Sequence, residues 1–474
     1  MKKQINKVLL LSPPVLASKE RMDINPYPPL GLGYIATVLK QMDIEVKIVD
    51  CYMEGQDQKI DWNEDSNIVG LEAYDRYRMV EEYKPDMIGI SQMFSRQTQI
   101  VDFMFRQIKL NDPEIITVIG GAHASVLPEK CARNKDVNFV VMGEGEKAIA
   151  DLIKTYNREG INVNTTSYVG ADPIQDLDTI PFPDWEAMQL TKYFGNKASH
   201  GYRKKKRFAP VITSRGCPIG CTFCTAHCVW GKKYRKRSVM NVCLELRRLI
   251  DRYSVKEIMF EDDNLTLDKK RAKELFRYME HYFNLLWDTP NGVSPWTLDE
   301  EMLDLMKASG CYRVNMAVES ASKRMRERIG KPGSLDQVEH MINYCRKIDL
   351  DVGMFLVIGM PDETEAERQQ SYDFCKENGI YFPHISIATP YPGSDLYKQL
   401  YDEKHVIDNG FLESLHIRNK LVNQTVTDSL ARAEKDFLKQ AIRHTPFHVI
   451  KSFLRVFATN PWKTVKRLWR FVSC

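Results

Sequence analysis

With 474 residues, 43% hydrophobic and 27% charged, the chain is too long for one ordinary domain and has the composition of a folded soluble protein. A formal charge of +4 is too small to argue for a nucleic-acid partner, and eleven cysteines, an odd number scattered beyond one cluster, exclude a disulfide framework. No stretch is long enough to cross a bilayer, and the residues before Pro13 lack a signal peptide's apolar run, so a cytoplasmic protein of two or three domains is expected.

Val8-Leu-Leu-Leu11 is a short apolar run ending in Ser12-Pro13-Pro14, as a buried parallel strand ends in a loop. Pro28-Pro-Leu-Gly-Leu-Gly33 opens a helical stretch through Lys40. Further strands are predicted at Glu45–Asp50, Met87–Ile90, Ile115–Ile119 and Asn138–Met142, with helical segments between them. Alternation of this kind makes a doubly wound parallel α/β sheet, whose ligands sit beyond the carboxyl ends of the strands. Those ends carry Asp50, Gly120-Gly-Ala-His123 and Gly143-Glu-Gly145.

Together with Pro29-Leu-Gly-Leu-Gly33, these loops resemble the cobalamin-binding domain that precedes many radical S-adenosylmethionine (SAM) cores. The resemblance covers about residues 5–155 and implies that Gly120, Gly121, His123, Gly143 and Gly145 lie beside cobalamin. The domain's best-known form has a DxHxxG motif whose histidine ligates cobalt. In Asp50-Cys-Tyr-Met-Glu-Gly55, Tyr52 stands in that place, so a lower histidine ligand is not expected. A domain that keeps the fold but has lost the cofactor is the alternative.

Residues 161–207 read as a linker. Ala171 to Trp185 is rich in proline and aspartate, poor in helix formers, and similar to the "IPFPDW" bridges of the same family. Arg203-Lys-Lys-Lys-Arg207 is read as a solvated surface segment, with contact to an anionic substrate as the second reading.

Ala209–Thr213 reads as a buried strand leading into Ser214-Arg-Gly-Cys217-Pro-Ile-Gly-Cys221-Thr-Phe-Cys224. Three thiolates at CxxxCxxC spacing can hold three corners of a [4Fe–4S] cube and leave the fourth iron open. A zinc knuckle completed by His227 or Cys228, a closed cluster and chance are the alternatives. The triplet, with Phe223 before its third cysteine, resembles the radical SAM superfamily, in which that aromatic lies beside the adenine of SAM.

A helix is predicted over Ser238–Tyr253 and a strand over Glu257–Phe260, ending in Glu261-Asp-Asp-Asn264. By the resemblance, Asp262 or Asp263 faces the methionine part of SAM; otherwise Asp263 or Asn264 caps a helix starting near Asp268. Later strands are predicted at Trp287–Val293, Arg313–Ser322, Asp351–Pro361 and Pro383–Thr389. Glu319 and Ser320 stand in an element similar to the family's G-x-E-S-G-S, with Ala317 and Ala321 in place of its glycines, and Gly359-Met-Pro361 would supply the turn under the adenine. Six strands imply a partial (β/α)6 barrel over 208–400, after an N-terminal domain of 1–160 and before a helical C-terminal region, 401–474.

The resemblance implies SAM cleaved reductively to a 5′-deoxyadenosyl radical, which takes hydrogen from an unactivated carbon, most simply for C-methylation with cobalamin as methyl carrier. Dehydration, ring formation or carbon–carbon coupling by the same layout is the alternative. A tRNA methylthiotransferase is disfavoured, because its second N-terminal cluster has only Cys51 and Cys131 to draw on; a non-enzymatic electron carrier or corrinoid binder would have no need of SAM. The partners implied are a small-molecule or lipid substrate and a reductant such as flavodoxin or ferredoxin, with no nucleic acid.

In Pro461–Val472 the residues Trp462, Val465, Trp469 and Val472 recur at helical spacing, with Lys463, Lys466, Arg467 and Arg470 on another face. Such a helix either lies on the inner face of a membrane or docks on the core. Sedimentation with anionic liposomes is expected to carry down the full chain and leave a chain ending near Arg443 in solution. Identical behaviour of the two removes the membrane reading.

Overall fold

The computed structural model describes residues 4–19, 26–64, 66–160, 165–196, 203–331, 333–402 and 424–444. The amphipathic segment 461–472 therefore lies outside the described residues. By compactness the chain forms two units, one drawn from 1–291, 304–312 and 390–417, the other from 292–303, 313–389 and 418–474.

The first unit opens with a six-stranded sheet. Its strands are β1 (Lys7–Ser12), β2 (Glu45–Asp50), β3 (Met87–Ser91), β4 (Ile116–Gly120), β5 (Phe139–Val141) and β6 (Ser167–Val169), in the order β2-β1-β3-β4-β5-β6. All neighbours are parallel. Val8 to Leu11 are buried without alternation, the pattern of a central strand covered on both faces. The helix Thr98–Asn111 presents Ile100, Val101, Met104, Phe105 and Ile108 to that core at helical spacing. Strand order reverses between β1 and β3, so the crevice for ligands opens beyond the carboxyl ends near that point.

Two features depart from the expected elements. β6 extends the sheet past the fifth strand, and Val15–Ser18, Ser66–Val69 and Lys59–Asn63 form a separate antiparallel sheet. The linker is also more than a spacer. Trp185, Leu177 and Ile180 are buried, Thr37 donates to the Phe182 carbonyl at 2.8 Å, and Asp184 donates its N–H to the Gly33 carbonyl at 3.0 Å. The basic run is tied down in turn: Glu257 accepts the backbone N–H groups of Lys204 and Lys205, and Arg203 stacks 3.6 Å from the Phe208 ring centroid.

Beyond the linker, β7 (Phe208–Val211), β8 (Glu257–Phe260) and β9 (Leu286–Asp288) form a three-stranded parallel sheet in the first unit. The predicted strand over 287–293 is thus shorter, since Pro290 lacks a ladder donor and Gly292 has φ +78°. In the second unit β10 (Arg313–Glu319), β11 (Asp351–Ile358) and β12 (His384–Ile387) form another parallel sheet. The six core strands expected of the partial barrel are thus two three-stranded sheets, each described within its own unit. The helix Gln424–His444 is the last described element.

At the end of β2, Asp50 is buried, accepts the Tyr52 N–H at 3.1 Å and takes the Tyr193 hydroxyl at 2.9 Å. Burial raises its pKa from 3.8 to about 6, outweighing these hydrogen bonds. Folded Asp50 therefore binds a proton more readily than unfolded Asp50, and its stabilising contribution, full below about pH 4, is lost as pH rises through about 6. Asp50→Asn is expected to stabilise the chain above neutral pH by up to about 3 kcal/mol and to leave it little changed near pH 4. Urea midpoints at the two pH values check this; an equal shift at both contradicts it.

Candidate functional site

The cysteines stand on irregular backbone that is fixed at its base. Ser214 and Arg215 pair antiparallel with Lys236 and Arg235, closing residues 216–234 into a loop. Gly216 has φ +82°, and a Cβ there would lie 2.4 Å from the Lys233 carbonyl oxygen, so only glycine fits the turn. Cys217, Cys221 and Cys224 are half-buried, and Phe223 between the last two is half-buried as well. The Cys224 N–H donates to the Cys221 carbonyl at 3.0 Å, and the helix Ala226–Trp230 follows. Among the described residues no group of three His, Cys, Asp or Glu is arranged to hold a single metal ion. The donor set, three thiols on one glycine-bearing loop, fits a cluster with three protein ligands.

Asp262 and Asp263 do different things. Asp262 is buried and accepts from the Thr213 N–H at 3.1 Å, the Thr213 hydroxyl at 2.7 Å and the Ser214 hydroxyl at 2.5 Å. Arg271 completes this base, donating to the Thr213 hydroxyl at 2.9 Å and the Thr213 carbonyl at 3.1 Å. Asp262 is therefore spent on holding the root of the cysteine loop. Asp263 takes the Gly216 N–H, while its buried Oδ2 has no partner. Burial first, and Asp262 second, push its pKa up to about 6. An orphaned buried carboxylate oxygen is costly and suits a cation such as an ammonium. The capping alternative falls away, because the next helix, Lys269–Tyr282, is capped by Asp268, which accepts the Arg271 N–H at 3.0 Å.

The other SAM-directed candidates belong to the second unit. Glu319 ends β10 with φ +69°, after a register shift from Ala317, and its carboxylate pairs with Lys331 at 3.1 Å. A non-glycine residue in that region carries strain on the order of 1–3 kcal/mol, of the kind found at functional sites. Ser320 is buried, with its hydroxyl 3.3 Å from that of Ser371. Gly359 has φ +76° and donates its N–H to Glu363 at 2.5 Å, which fastens the Gly359–Pro361 turn. Burial pushes Glu363 up to about 7. Reading the sequence missed Glu363, because an acid two residues past a turn has no signature of its own.

In the first unit, Gly121 has φ +97° and a Cβ there would meet the Gln92 carbonyl oxygen at 2.6 Å, while Gly143, with φ +70°, donates its N–H to Ser125 at 2.9 Å. Gly120 ends β4 and Gly145 begins the helix Gly145–Glu159. The imidazole of His123 is turned into the protein, 2.9 Å from the Ser95 hydroxyl and 3.4 Å from that of Thr98, and burial lowers its pKa to about 4. Tyr52 packs its ring with Ala17 and Val69. The helix Ala122–Val126 packs on the helix Ala226–Trp230, so the loop after β4 lies against the segment that follows the third cysteine.

These positions coincide with two matched families: the Radical SAM superfamily matches residues 211–375 and the B12 binding domain residues 25–153. The chain is 34% identical to cytidylyl-2-hydroxyethylphosphonate methyltransferase of Streptomyces wedmorensis, over 92% of this chain and 90% of that one. It is 30% identical to an uncharacterized methyltransferase of Pyrococcus horikoshii, over 83% of each. The fold is similar to that of the radical SAM methyltransferase TsrM of Kitasatospora setae, solved with cobalamin and a [4Fe–4S] cluster, with TM-score 0.62 at 17% identity over 84% of this chain and 75% of that one. Cysteine loop, glycine turns after β4 and β5, and relatives agree: the chain belongs to the radical SAM methyltransferases that carry a B12-binding domain.

Proposed function

We propose that Cys217, Cys221 and Cys224 hold the [4Fe–4S] cluster, with Phe223 beside the adenine of SAM and Asp263 receiving its ammonium group. The observation that carries this is the unpartnered, buried Oδ2 of Asp263, whose other bond is to Gly216 at the start of the cysteine loop. Glu319, Ser320 and the Gly359–Pro361 turn, in the second unit, are assigned to SAM by the family resemblance, and Asp262 positions the loop without touching SAM. Gly120, Gly121, Gly143 and Gly145 offer backbone to cobalamin, and His123 supports the crevice wall from behind. Bound, these cofactors supply a 5′-deoxyadenosyl radical and a methyl group for an unactivated carbon. The protein's own part is to bind, orient and keep water from the reacting carbon. By function we divide the chain into a cobalamin-binding segment (1–160), a linker (161–207), a radical SAM core (208–400) and a C-terminal region (401–474).

The substrate in this reading is a small molecule, and the electron comes from a flavodoxin- or ferredoxin-type protein. The relative from Streptomyces wedmorensis is named for a cytidylylated phosphonate, which makes nucleotide-linked phosphonates the first acceptors to assay. No described helix is long and apolar enough to cross a membrane.

Turnover of the anaerobically reconstituted chain with such an acceptor is expected to yield 5′-deoxyadenosine together with S-adenosylhomocysteine, measured by mass spectrometry. Cys221→Ala is expected to reduce both to background. Formation of 5′-deoxyadenosine and a changed acceptor without S-adenosylhomocysteine contradicts methylation.

A further inference from the structure

Glu144 and Glu146 follow Gly143 beyond β5, and Arg215 immediately precedes Gly216 and the cysteines. Arg215 donates to Glu144 at 2.9 Å and to Glu146 at 2.5 Å, and Arg235 pairs with Glu144 at 2.5 Å. All four side chains are at most 7% exposed. Arg215 and Arg235 also face each other in the two-residue ladder that closes the cysteine loop. The Arg215 guanidinium lies over two rings, 4.7 Å from the Trp230 centroid and 5.3 Å from that of Tyr34.

Two carboxylates from one end of the first sheet thus neutralise two arginines at the two feet of the cysteine loop. Burying four charges is an expensive way to join two surfaces, because apolar residues of similar volume hold as well or better. What ion pairs add is direction. A guanidinium that commits one nitrogen to each of two carboxylates fixes distance and orientation, where an apolar contact slides.

We propose that Glu144, Glu146, Arg215 and Arg235 form a positioning clamp that sets the separation between the cysteine loop and the glycine-lined crevice beyond β4 and β5. The clamp rests on the cofactor assignment above, since it matters to catalysis only if both places are occupied. None of the four touches a reacting atom.

The test compares Glu144→Gln and Glu146→Gln with Glu245→Gln. The last breaks an equally buried pair, Glu245 with Arg237 at 2.5 Å, that involves no residue of the first sheet. Full-length chains are loaded anaerobically with iron, sulfide and cobalamin. Amide exchange is read over residues 214–236, and the dipolar coupling between the reduced cluster and cob(II)alamin is read by electron paramagnetic resonance. Glu144→Gln and Glu146→Gln are expected to retain iron and corrinoid, to accelerate exchange in 214–236 on the order of tenfold, and to spread the coupling over a range of distances. Glu245→Gln is expected to lower the melting temperature while leaving coupling and exchange in that segment as in the parent. Unchanged coupling and exchange in both clamp variants overturn the proposal, as do changes of the same size in Glu245→Gln. If Glu144→Gln does not fold, Glu146→Gln, which keeps the Arg235–Glu144 pair, decides alone. A parent chain that takes up no corrinoid sinks the cobalamin assignment instead, and exchange still reports on the clamp.

Discussion

Three sulfurs on irregular backbone must be held in place without a helix or strand beneath them, and everything else about this protein depends on how that is done. Asp262 does most of it. Sealed at the end of β8, its carboxylate gathers the N–H of Thr213 and the hydroxyls of Thr213 and Ser214, and Arg271 closes the same knot from the next helix. Burial disfavours its charge and holds its pKa above the usual carboxylate value, and the Ser214 and Thr213 donors with the Arg271 guanidinium offset only part of that cost. The loop beyond then needs only glycine at 216 to turn, and its sulfurs stay half-exposed where a cluster can reach them.

A second constraint works between segments far apart in the chain. The cysteine loop is joined to the crevice of the first sheet by ion pairs spanning 71 and 69 residues, and the linker adds Trp185 and Phe182 to the same assembly. A methyl carrier and a radical source serve one substrate carbon only if neither drifts relative to the other. Apolar packing would supply cohesion here; the guanidinium–carboxylate geometry supplies a fixed spacing.

Much of this was legible in the residues, and the exceptions have physical causes. β1 and β3 to β5 showed themselves because parallel strands covered on both faces are apolar runs, and the helix Val239–Tyr253 because its buried side chains recur at helical spacing. β6 did not, being a three-residue edge strand of partly exposed residues, nor did Lys59–Asn63, whose residues are all exposed and carry no inward pattern. The spacing of the cysteine triplet pointed to a cluster while leaving a zinc knuckle open, and the family resemblance pointed to SAM. The division of labour between Asp262 and Asp263 could not be read, because adjacent acids look alike until one is seen to be filled with donors. Glu144 stood in the quoted Gly143-Glu-Gly145 and Glu146 directly after it, but a pairing with Arg215 leaves no periodic trace in a sequence.

The account stands on an iron corner left open by three protein sulfurs. Its most direct measurement is the electron paramagnetic resonance spectrum of the iron-loaded, reduced chain before and after addition of SAM. A shift in the g-values of the reduced cluster is predicted, because SAM enters the coordination of the open iron. A spectrum that SAM leaves unaltered, in a chain carrying four irons on these cysteines, contradicts it.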